Sequence, residues 1–470
     1  MPIFIYNSLT RKKDEFTPLN PPKVNIYTFG VTVYDQSHIG HARSLYIFDV
    51  IRRYLTYRGL KVKFVRNITD IDDKIINRAN ELKIDWQELV KKYIDKYTRD
   101  LEILGIEKGD VEPRATENIA EMIKHIEGLI KKDYAYVTES GVYFSVRKFK
   151  DYGKLSGQSI DQMLTGVRKE TDETKKDPLD FALWKKSKED EPFWESPWMK
   201  GRPGWHIECS VMSQKFLATD TLDIHAGGRD LIFPHHENEI AQSEALTGKP
   251  FAKCWIHHGL LTINGQKMAK SQGNFMTIAD FIKKYKNVDF LKLFFLSTHY
   301  SHPIDYNEDK MEEAKKSYDR FRILFQKIDR EFGTRDTEKL PTASMGNIKL
   351  FREAFEKAMD DDFNTPVALG VLFNMVNECN KILDNKEDDR RFMLQYVMKT
   401  IIELGGIFGL SFKDISVEKS DTWVTIAIAQ REQLRKENKF KEADEIRKML
   451  EEKGVILEDT KEGTTWRRKL

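Results

Sequence analysis

A strand, a helix and a second strand near the start of the chain constrain the fold more than any other feature. Residues 24–33 are a largely apolar run, typical of a buried strand. Apolar residues then recur with helical spacing from Ala42 to Leu55, and residues 62–65 form a second apolar strand. Such a crossover unit is the building block of a doubly wound parallel sheet, whose ligands bind outside the carboxyl ends of its strands. The segment therefore predicts an α/β, Rossmann-like fold with a candidate site at the turn after the first strand.

The rest of the chain predicts further units. Between residues 116 and 200 a charged helix, a short aromatic strand and a Lys/Glu/Asp-rich stretch interrupt the α/β pattern, and apolar strands return afterwards. Apolar residues at helical spacing start at residue 308 and continue in amphipathic segments typical of a helix bundle. We therefore predict the following division: residues 1–115 and 201–307 form the two halves of the α/β domain, 116–200 an inserted connective domain, 308–420 an α-helical bundle, and 421–470 a small charge-dense C-terminal unit.

Composition excludes several classes of protein. A content of 40% hydrophobic and 32% charged residues is that of a globular protein, not of a disordered or fibrous one. The net charge of +2 comes from 77 basic and 75 acidic residues, so attraction for a polyanion must come from local patches. Only three cysteines are present, which argues against a disulfide framework and for a reducing compartment. The start of the chain lacks the pattern of a signal peptide, and no run reaches membrane-spanning length. We expect a cytoplasmic protein with no membrane partner.

The turn after the first strand carries His38, Gly40 and His41. Two imidazoles at the positive end of a helix dipole suit a triphosphate, because they can donate hydrogen bonds to phosphate oxygens as charge develops. A glycine there permits a base to approach the backbone closely. An ordinary polar helix start would have the same composition, so the tetrapeptide alone leaves both interpretations open.

A second candidate element, Lys267-Met268-Ala269-Lys270-Ser271, lies in a segment that contains Asn264-Gly265 and Gly273. A mobile loop with Lys267 and Lys270 could close on a pyrophosphate leaving group and neutralise it, although a solvated basic turn is the simpler interpretation. The chain has no Gly-x-x-x-x-Gly-Lys-Ser/Thr loop, which disfavours the commonest alternative scheme for ATP. Together, in this order, the two elements indicate nucleotide chemistry.

These elements resemble the His-Ile-Gly-His and Lys-Met-Ser-Lys-Ser signatures of class I aminoacyl-tRNA synthetases, with Ala269 replacing the serine. Within that class the chain is most similar to the cysteinyl-tRNA synthetases. The similarity covers nearly the whole chain and rests on residues 6–13, 32–35, 67–74, 202–210, 223–225, 233–239 and 362–366 and on the charged terminal unit.

The resemblance implies a cysteine–tRNA ligase that activates L-cysteine with ATP and Mg²⁺, releases pyrophosphate and transfers cysteine to the 3′ end of tRNA-Cys. It implies a monomer in which the bundle binds tRNA and the last unit binds the anticodon. It also implies roles for the following residues: His38, Gly40, His41, Lys267 and Lys270 in catalysis; the same five with Ser271 in ATP binding; Thr69, Trp205, His206, His225 and Asp230 in the amino-acid pocket.

Cys209, His235 and Glu239 could hold zinc, since a His and a Glu four residues apart on a helix share a face and Cys supplies a thiolate. A thiophilic ion would also distinguish cysteine from serine. In the family a fourth ligand is the Cys of a Cys-Gly-Pro-Thr-Val-Tyr sequence, but this chain has Phe29 there. Either three ligands and the substrate thiolate complete the site, or the phenyl ring fills the space and cysteine is selected by size and by sulfur contacts to aromatic rings. His235 and Glu239 could also be polar residues near the substrate with no metal.

Two alternative functions stay open. A related ligase of the mycothiol type would join cysteine to a small amine, but such enzymes lack C-terminal tRNA-binding units. A non-catalytic RNA-binding paralogue would be expected to lose its phosphate-contacting residues, whereas both signatures are present.

Overall fold

The crossover unit is present in the structure, a computed structural model that describes residues 2–160, 162–163, 173–268, 273–332, 346–384, 390–412, 422–460 and 463–468. An antiparallel hairpin comes first, with β1 at Phe4–Asn7 and β2 at Lys12–Glu15. The unit itself consists of β3 at Lys23–Thr32, α1 at Ile39–Tyr57 and β4 at Lys61–Thr69. β3 and β4 run parallel, with Val24 opposite Val62.

Two later strands complete the central sheet. They are β9 at Leu222–Gly228 and β10 at Ala252–His258, and the strand order is β10-β9-β3-β4 with every pairing parallel. β9 therefore joins β3 from far along the chain, and the two halves of the α/β domain share one sheet. The predicted doubly wound parallel sheet is confirmed.

A second sheet lies between these halves in the sequence. It is antiparallel and has four strands in sequence order: β5 at Ala135–Val137, β6 at Gly141–Phe144, β7 at Phe181–Lys186 and β8 at Gly201–Pro203. Val142 and Leu183 share one apolar core with Ile126 of α4 (Ile119–Lys131) and Ile207 of α5 (Trp205–Leu217). The inserted sheet thus packs against α5, the helix that begins at Trp205.

The remaining elements of the α/β part surround the sheets. They are α2 at Asp73–Leu82, α3 at Trp86–Leu104, α6 at Glu237–Thr247, β11 at Leu261–Ile263, β12 at Gln266–Lys267, α7 at Ile278–Tyr285, α8 at Asp289–Leu296 and β13 at Ile304–Tyr306. β11 pairs antiparallel with β12 and parallel with β13, which forms a small sheet that presents Lys267.

Helices α9 at Glu308–Phe332, α10 at Gly346–Asp360, α11 at Thr365–Asp384 and α12 at Arg390–Ile407 form the bundle. Its core is continuous with that of α1, and the Tyr46 hydroxyl donates to the Phe408 carbonyl at 2.7 Å. The bundle therefore packs directly on α1.

The last unit has its own small core of Val424, Leu450, Val455 and Leu457. It comprises α13 at Thr422–Lys436, α14 at Phe440–Glu452, β14 at Val455–Thr460 and β15 at Gly463–Arg468. Arg330 of the bundle lies over the Trp466 ring, 5.1 Å from its centroid. Throughout the described ranges, no helix combines the length and the apolar character needed to cross a bilayer.

His125 on α4 makes the stability of this fold sensitive to acid. Its Nε2 donates to the Gln242 carbonyl at 3.3 Å, and burial lowers its pKa to about 4 although that hydrogen bond opposes the shift. The unfolded chain therefore takes up a proton near pH 6.5 that the folded chain refuses until about pH 4, and stability falls between those values as pH falls. Between pH 7 and pH 5 the free energy of unfolding of the parent chain should fall by about 2 kcal/mol more than that of His125→Gln, a variant that can keep the hydrogen bond. Urea titrations at both pH values measure this difference, and equal losses in the two proteins would contradict it.

Candidate active site

His38 and His41 form the start of α1, and each caps the other's backbone. The Nδ1 atom of His38 accepts from the Gly40 and His41 amides at 3.1 and 3.3 Å, and Nδ1 of His41 accepts from the His38 amide at 3.3 Å. Because both Nδ1 atoms accept, each neutral ring carries its proton on Nε2. The two rings are stacked with centroids 3.8 Å apart, so the two donors lie side by side at the helix N-terminus.

The electrostatics of this turn keep His41 neutral. Burial, the neighbouring His38 ring and the Lys74 ammonium together lower the pKa of His41 to about 3. A neutral imidazole with its proton on Nε2 is a hydrogen-bond donor, and it needs no counter-ion when a ligand is absent. Gly40 is required beside it, because a Cβ there would lie 2.9 Å from the His38 ring and 3.0 Å from the Met268 methyl group.

A cavity of about 250 Å³ opens beside these histidines at the carboxyl end of β3. This is the edge of the sheet where the predicted site was expected. The cavity is lined by residues 31–38, His41, Tyr93, Tyr97, Met268 and Phe275.

The segment that carries the second signature is tied to the first by backbone hydrogen bonds. The Ile39 amide donates to the Met276 carbonyl at 3.1 Å, and the Ile278 amide donates to the Ser37 carbonyl at 3.1 Å. Lys267 lies exposed at the end of β12. Lys270 and Ser271 lie outside the described residues, so their positions stay predictions.

Cys209, His235 and Glu239 are brought together and are fully buried, with donor atoms within 4.8 Å of one another. Cys209 lies on α5 and Glu239 in the first turn of α6. His235 lies in the π-helical turn Ile232–His236, which runs directly into α6, and Phe233 at the start of this turn has extended backbone angles. The His235 ring reaches Glu239 four residues later, with Nε2 and Oε1 2.9 Å apart.

Outer partners orient two of these side chains. His225 Nε2 lies 2.7 Å from Glu239 Oε2, and His206 Nδ1 lies 2.9 Å from His235 Nδ1. Burial opposes ionisation of Glu239, but the His225 and His235 rings outweigh burial and lower the pKa of the carboxyl to about 2. The carboxylate is therefore ionised and is held in place by His225.

The atoms left over face one another. His235 Nε2 and Glu239 Oε1 lie 2.9 Å apart, and among the described residues neither buried atom has a further partner. In metal sites a ligating imidazole is held through its other nitrogen and a ligating carboxylate through its other oxygen, which is the arrangement around these two residues. With the Cys209 sulfur as third donor, the residues present fit a divalent ion of the zinc type.

Phe29 packs against one member of this group, His235. Its ring meets the His235 ring edge-on at 5.1 Å and the Trp205 ring edge-on at 5.6 Å. Trp205 in turn lies over His235 at 4.1 Å. The Phe29 and Trp205 rings therefore form an aromatic wall against His235, and position 29 offers no fourth ligand.

The other residues predicted for the amino-acid pocket occupy different depths. Trp205 and His206 are half-buried at the start of α5, and Asp230 is exposed in the turn after β9. His225 is fully buried behind Glu239 and stacks on Trp255 at 4.6 Å. Thr69 is also fully buried, and its hydroxyl donates to Glu208 at 2.8 Å.

Sequence reasoning missed a second layer of polar residues. His236 Nδ1 lies 2.8 Å from His257 Nε2, and His257 Nδ1 lies 2.8 Å from the Ser8 hydroxyl. Tyr27 was also missed, although it lies two residues from Phe29 on β3, packs into the same apolar core and meets the His225 ring edge-on at 5.4 Å. The two-residue strand period would have found Tyr27, whereas nothing in the sequence joins Ser8 to His257.

Comparison with known proteins accounts for the whole chain. Residues 15–316 match the family model described as the tRNA synthetases class I (C) catalytic domain, residues 354–413 match the DALR domain, and residues 427–467 match the cysteinyl-tRNA ligase anticodon binding domain. A cysteine–tRNA ligase of Thermodesulfovibrio yellowstonii is 49% identical, with 99% of each chain covered. One from Thermococcus gammatolerans is 46% identical, covering 100% of this chain and 99% of the relative.

The fold is shared more widely. Methionyl-tRNA synthetase of Mycobacterium tuberculosis, solved with methionyl-adenylate, matches with a TM-score of 0.60 over 86% of this chain and 93% of that chain, at 14% identity. That likeness concerns the fold alone. The full-length identity to curated ligases and the matching catalytic, DALR and anticodon-binding models show that the chain belongs to the cysteine–tRNA ligase family of class I aminoacyl-tRNA synthetases.

Proposed function

We propose that this chain joins L-cysteine to tRNA-Cys at the expense of ATP, with activation at the carboxyl edge of the central sheet. The observation that carries the proposal is the buried group of Cys209, His235 and Glu239. Phe29 of β3 contacts this group through His235, and the signature histidines follow the end of the same strand. A thiol-seeking donor set beside a phosphate-binding helix start is what cysteine activation requires.

The first half-reaction is attack of the cysteine carboxylate on the α-phosphate of magnesium-bound ATP, which gives cysteinyl-adenylate and pyrophosphate. His38 and His41 donate from Nε2 to phosphate oxygens as negative charge develops, and Gly40 leaves room for the adenine. Lys267, Lys270 and Ser271 are proposed to cover the leaving pyrophosphate. The chain acts through position and charge and forms no covalent bond to the substrate.

The amino-acid pocket is proposed to be bounded by Phe29, Trp205 and the buried donor group, which are in contact with one another. Cys209, His235 and Glu239 would hold zinc, which supplies a soft Lewis acid that prefers sulfur to oxygen. Trp205 and Thr69 are proposed to shape the pocket, His206 and His225 to orient His235 and Glu239, and Asp230 to pair with the substrate ammonium group.

The later parts of the chain favour tRNA as the acceptor. After adenylate formation the terminal ribose hydroxyl of tRNA attacks the cysteinyl carbonyl, and AMP leaves. The bundle and the last unit match the DALR and anticodon-binding models, and those units are what a ligase for a small amine lacks. We also propose that the chain is a monomer, that it binds one tRNA and that it acts in the cytoplasm.

Pyrophosphate exchange tests the function directly. We expect purified protein to exchange pyrophosphate into ATP with cysteine, and at least about 100-fold more slowly with serine at equal concentration, because the buried site would lose a sulfur partner. Transfer of labelled cysteine to a tRNA-Cys transcript, with a tRNA of different anticodon as control, tests the second half-reaction. Equal exchange with both amino acids would refute the assignment of cysteine, and exchange without transfer to tRNA would favour a small-amine acceptor.

A further inference from the structure

We infer that Asp289 and residues 408–412 form a joint that fixes the direction in which the helix bundle presents tRNA to the active site. Asp289 is accordingly a positioning residue for the transfer of cysteine to tRNA, and not for the activation of cysteine. The inference rests on the proposed function, because it takes tRNA as the acceptor. The proposed activation step uses neither this buried carboxylate nor its partner Lys292.

The joint segment, residues 408–412, directly follows the last helix of the bundle and is bound by Asp289, the first residue of α8. Asp289 accepts through Oδ2 from the Ser411 amide at 3.0 Å, from the Ser411 hydroxyl at 3.0 Å and from the Phe412 amide at 3.1 Å. One carboxylate oxygen of the α/β domain therefore holds two successive amides of the joint segment.

Two further side chains of the α/β domain bind the carbonyl groups of the joint segment. Lys292 donates from Nζ to the Gly409 carbonyl at 2.6 Å and to Asp289 Oδ1 at 3.2 Å. Tyr46 of α1 donates to the Phe408 carbonyl at 2.7 Å. Because these hydrogen bonds go to backbone atoms, they fix the path of the chain and not only the position of a side chain.

The aromatic side chains of the joint segment pack into the bundle. The Phe412 ring lies 5.4 Å from the rings of Phe321 and Phe325 on α9, and the Phe408 ring lies 5.3 Å from that of Phe355 on α10. The backbone of the segment thus belongs to the α/β contact, and its side chains belong to the bundle core. The direction of the bundle is set where these two contacts meet.

The elements that bind the joint segment also hold the signature histidines. Helix α1 begins at Ile39, directly after His38, and Tyr46 lies about two turns further along the same helix. Helix α8 follows α7, whose Ile278 amide donates to the Ser37 carbonyl at 3.1 Å. The joint therefore relates the bundle directly to the turn at which activation is proposed to occur.

The burial of the ion pair favours a role in direction over a role in stability. Asp289 is 0% and Lys292 2% exposed, and at such positions apolar residues of similar volume often stabilise a protein equally well. Charge-assisted hydrogen bonds add fixed geometry, which apolar contacts do not. A helix of 25 residues such as α9 is about 37 Å long, so a rotation of about 5° about one end moves the other end by about 3 Å. Since a misplacement of about 1 Å can slow a reaction about 100-fold, transfer from a misdirected tRNA should be slow.

Asp289→Asn tests the joint with little change in side-chain shape. Because the carboxylate accepts on both oxygens, either orientation of the amide places an N–H group against a donor. Cysteine-dependent pyrophosphate exchange should stay within about twofold of the parent rate, while single-turnover transfer of cysteine to tRNA-Cys should fall about 10- to 100-fold. Circular dichroism at the assay temperature checks that the variant is folded.

Ser411→Ala and Asp319→Asn are the companion variants. Ser411 is exposed, so Ser411→Ala should fold normally, and the loss of one hydrogen bond should slow transfer about threefold without changing exchange. Asp319 pairs with Arg322 three residues later on α9, as Asp289 pairs with Lys292 on α8, but this pair lies within one helix of the bundle. Asp319→Asn should therefore leave the ratio of transfer to exchange at the parent value.

The orientation of the bundle can also be measured without any substrate. The three native cysteines are buried, so spin labels can be directed to cysteines introduced at the exposed positions of Lys91 on α3 and Lys381 on α11. Double electron–electron resonance then gives the distribution of distances between the α/β domain and the bundle. We expect a broader distribution in Asp289→Asn than in the parent chain.

Three results would overturn the inference: exchange and transfer that change by the same factor in a folded Asp289→Asn, an equal loss of transfer in Asp319→Asn, or an unchanged distance distribution. These outcomes are separable from failure of the proposed function. Normal transfer by both the parent chain and Asp289→Asn would overturn the inference and leave the ligase function standing. A broadened distribution in a protein that transfers no cysteine to tRNA would refute the function and leave the joint standing.

Discussion

Replacement of Arg43 by Met is expected to lower the free energy of unfolding of the α/β domain by about 3–5 kcal/mol. Arg43 lies on α1 and is 1% exposed. Its Nη1 atom donates to the carbonyls of Gly259 and Leu260 at 2.7 and 2.9 Å, and Nη2 donates to those of Tyr300 and His302 at 3.3 and 2.6 Å. Met would fill the volume of the side chain but leave these carbonyls without a donor.

The Arg43 site joins two functional segments. Residues 259 and 260 lead into β11 and β12, which present Lys267, while residues 300 and 302 precede β13 in the same small sheet. Burial lowers the pKa of Arg43 to about 10, so the guanidinium stays charged at neutral pH, and no carboxylate among the described residues pairs with it. Its charge is stabilised by carbonyl dipoles alone, which is why both the cation and its planar fork are needed.

Urea titration followed by intrinsic fluorescence measures the effect. Arg43→Lys should fall between the parent chain and Arg43→Met, because an ammonium group cannot reach all four carbonyls at once. Arg52→Met on the same helix is the control. The Arg52 side chain is 14% exposed, pairs with the exposed carboxylates of Glu107 and Asp110 and donates to a single carbonyl, that of Lys108, so its loss should cost less than the loss of the four carbonyl contacts of Arg43. Equal losses of unfolding free energy for Arg43→Met and Arg52→Met would contradict the proposed role of the four carbonyl contacts of Arg43.

Arg43 also shows where inference from sequence stops. The crossover unit was predictable, because the apolar run 24–33 and the helical spacing from Ala42 to Leu55 are local patterns that burial imposes on strands and helices. Arg43 lies inside that helix pattern, yet its partners are more than 200 residues away and are backbone atoms. A carbonyl carries no sequence signal, so no pattern could have identified this contact.

The members of the buried donor group were predictable from the sequence, but the backbone turn that carries His235 was not. Residue chemistry and the family resemblance selected Cys209, His235 and Glu239, and the structure brings their donor atoms together. The four-residue spacing agrees with the contact of His235 and Glu239 at 2.9 Å, although His235 lies in the π-helical turn that precedes α6. The extended backbone angles of Phe233 at the start of that turn were not predictable from the spacing of two residues.

Both the sequence and the structure were needed to describe Phe29. Sequence alone identified the departure from the family pattern and left two outcomes open. The structure adds that the Phe29 ring packs edge-on against His235 and Trp205 and that the three donors stay together beside it. The domain boundaries and the roles of Lys270 and Ser271 stay predictions.

Replacement of His38 by Asn is expected to slow cysteine activation by about 100- to 1,000-fold while leaving the fold intact. Asn is among the best N-cap residues, so its side-chain oxygen can accept from the Gly40 and His41 amides as His38 Nδ1 does. The Nε2 donor, however, has no counterpart in Asn. The variant therefore separates the cap from the phosphate contact, which the parent residue combines.

The fall should appear in kcat for cysteine-dependent pyrophosphate exchange, with little change in KM for cysteine, because the lost donor acts on phosphate charge that develops in the transition state. His38→Gln is the complementary variant. Its longer amide places an N–H near the position of the imidazole Nε2 but caps the helix poorly, so it should keep most of the activity and lose about 1 kcal/mol of stability. His125→Gln, which keeps the hydrogen bond to the Gln242 carbonyl and changes no contact of the signature histidines, should leave exchange at pH 7 unchanged.

The two His38 variants thus predict opposite losses, activity in Asn and stability in Gln, and the pair decides what the histidine does. If His38→Asn kept full exchange while His38→Gln lost it together with thermal stability, the imidazole would serve the helix and not the phosphate. The stacked His41 ring would then remain as the donor at this turn, since its low pKa keeps it neutral with the proton on Nε2. Under the proposed mechanism both donors are needed, because charge on the phosphate oxygens is spread over more than one atom.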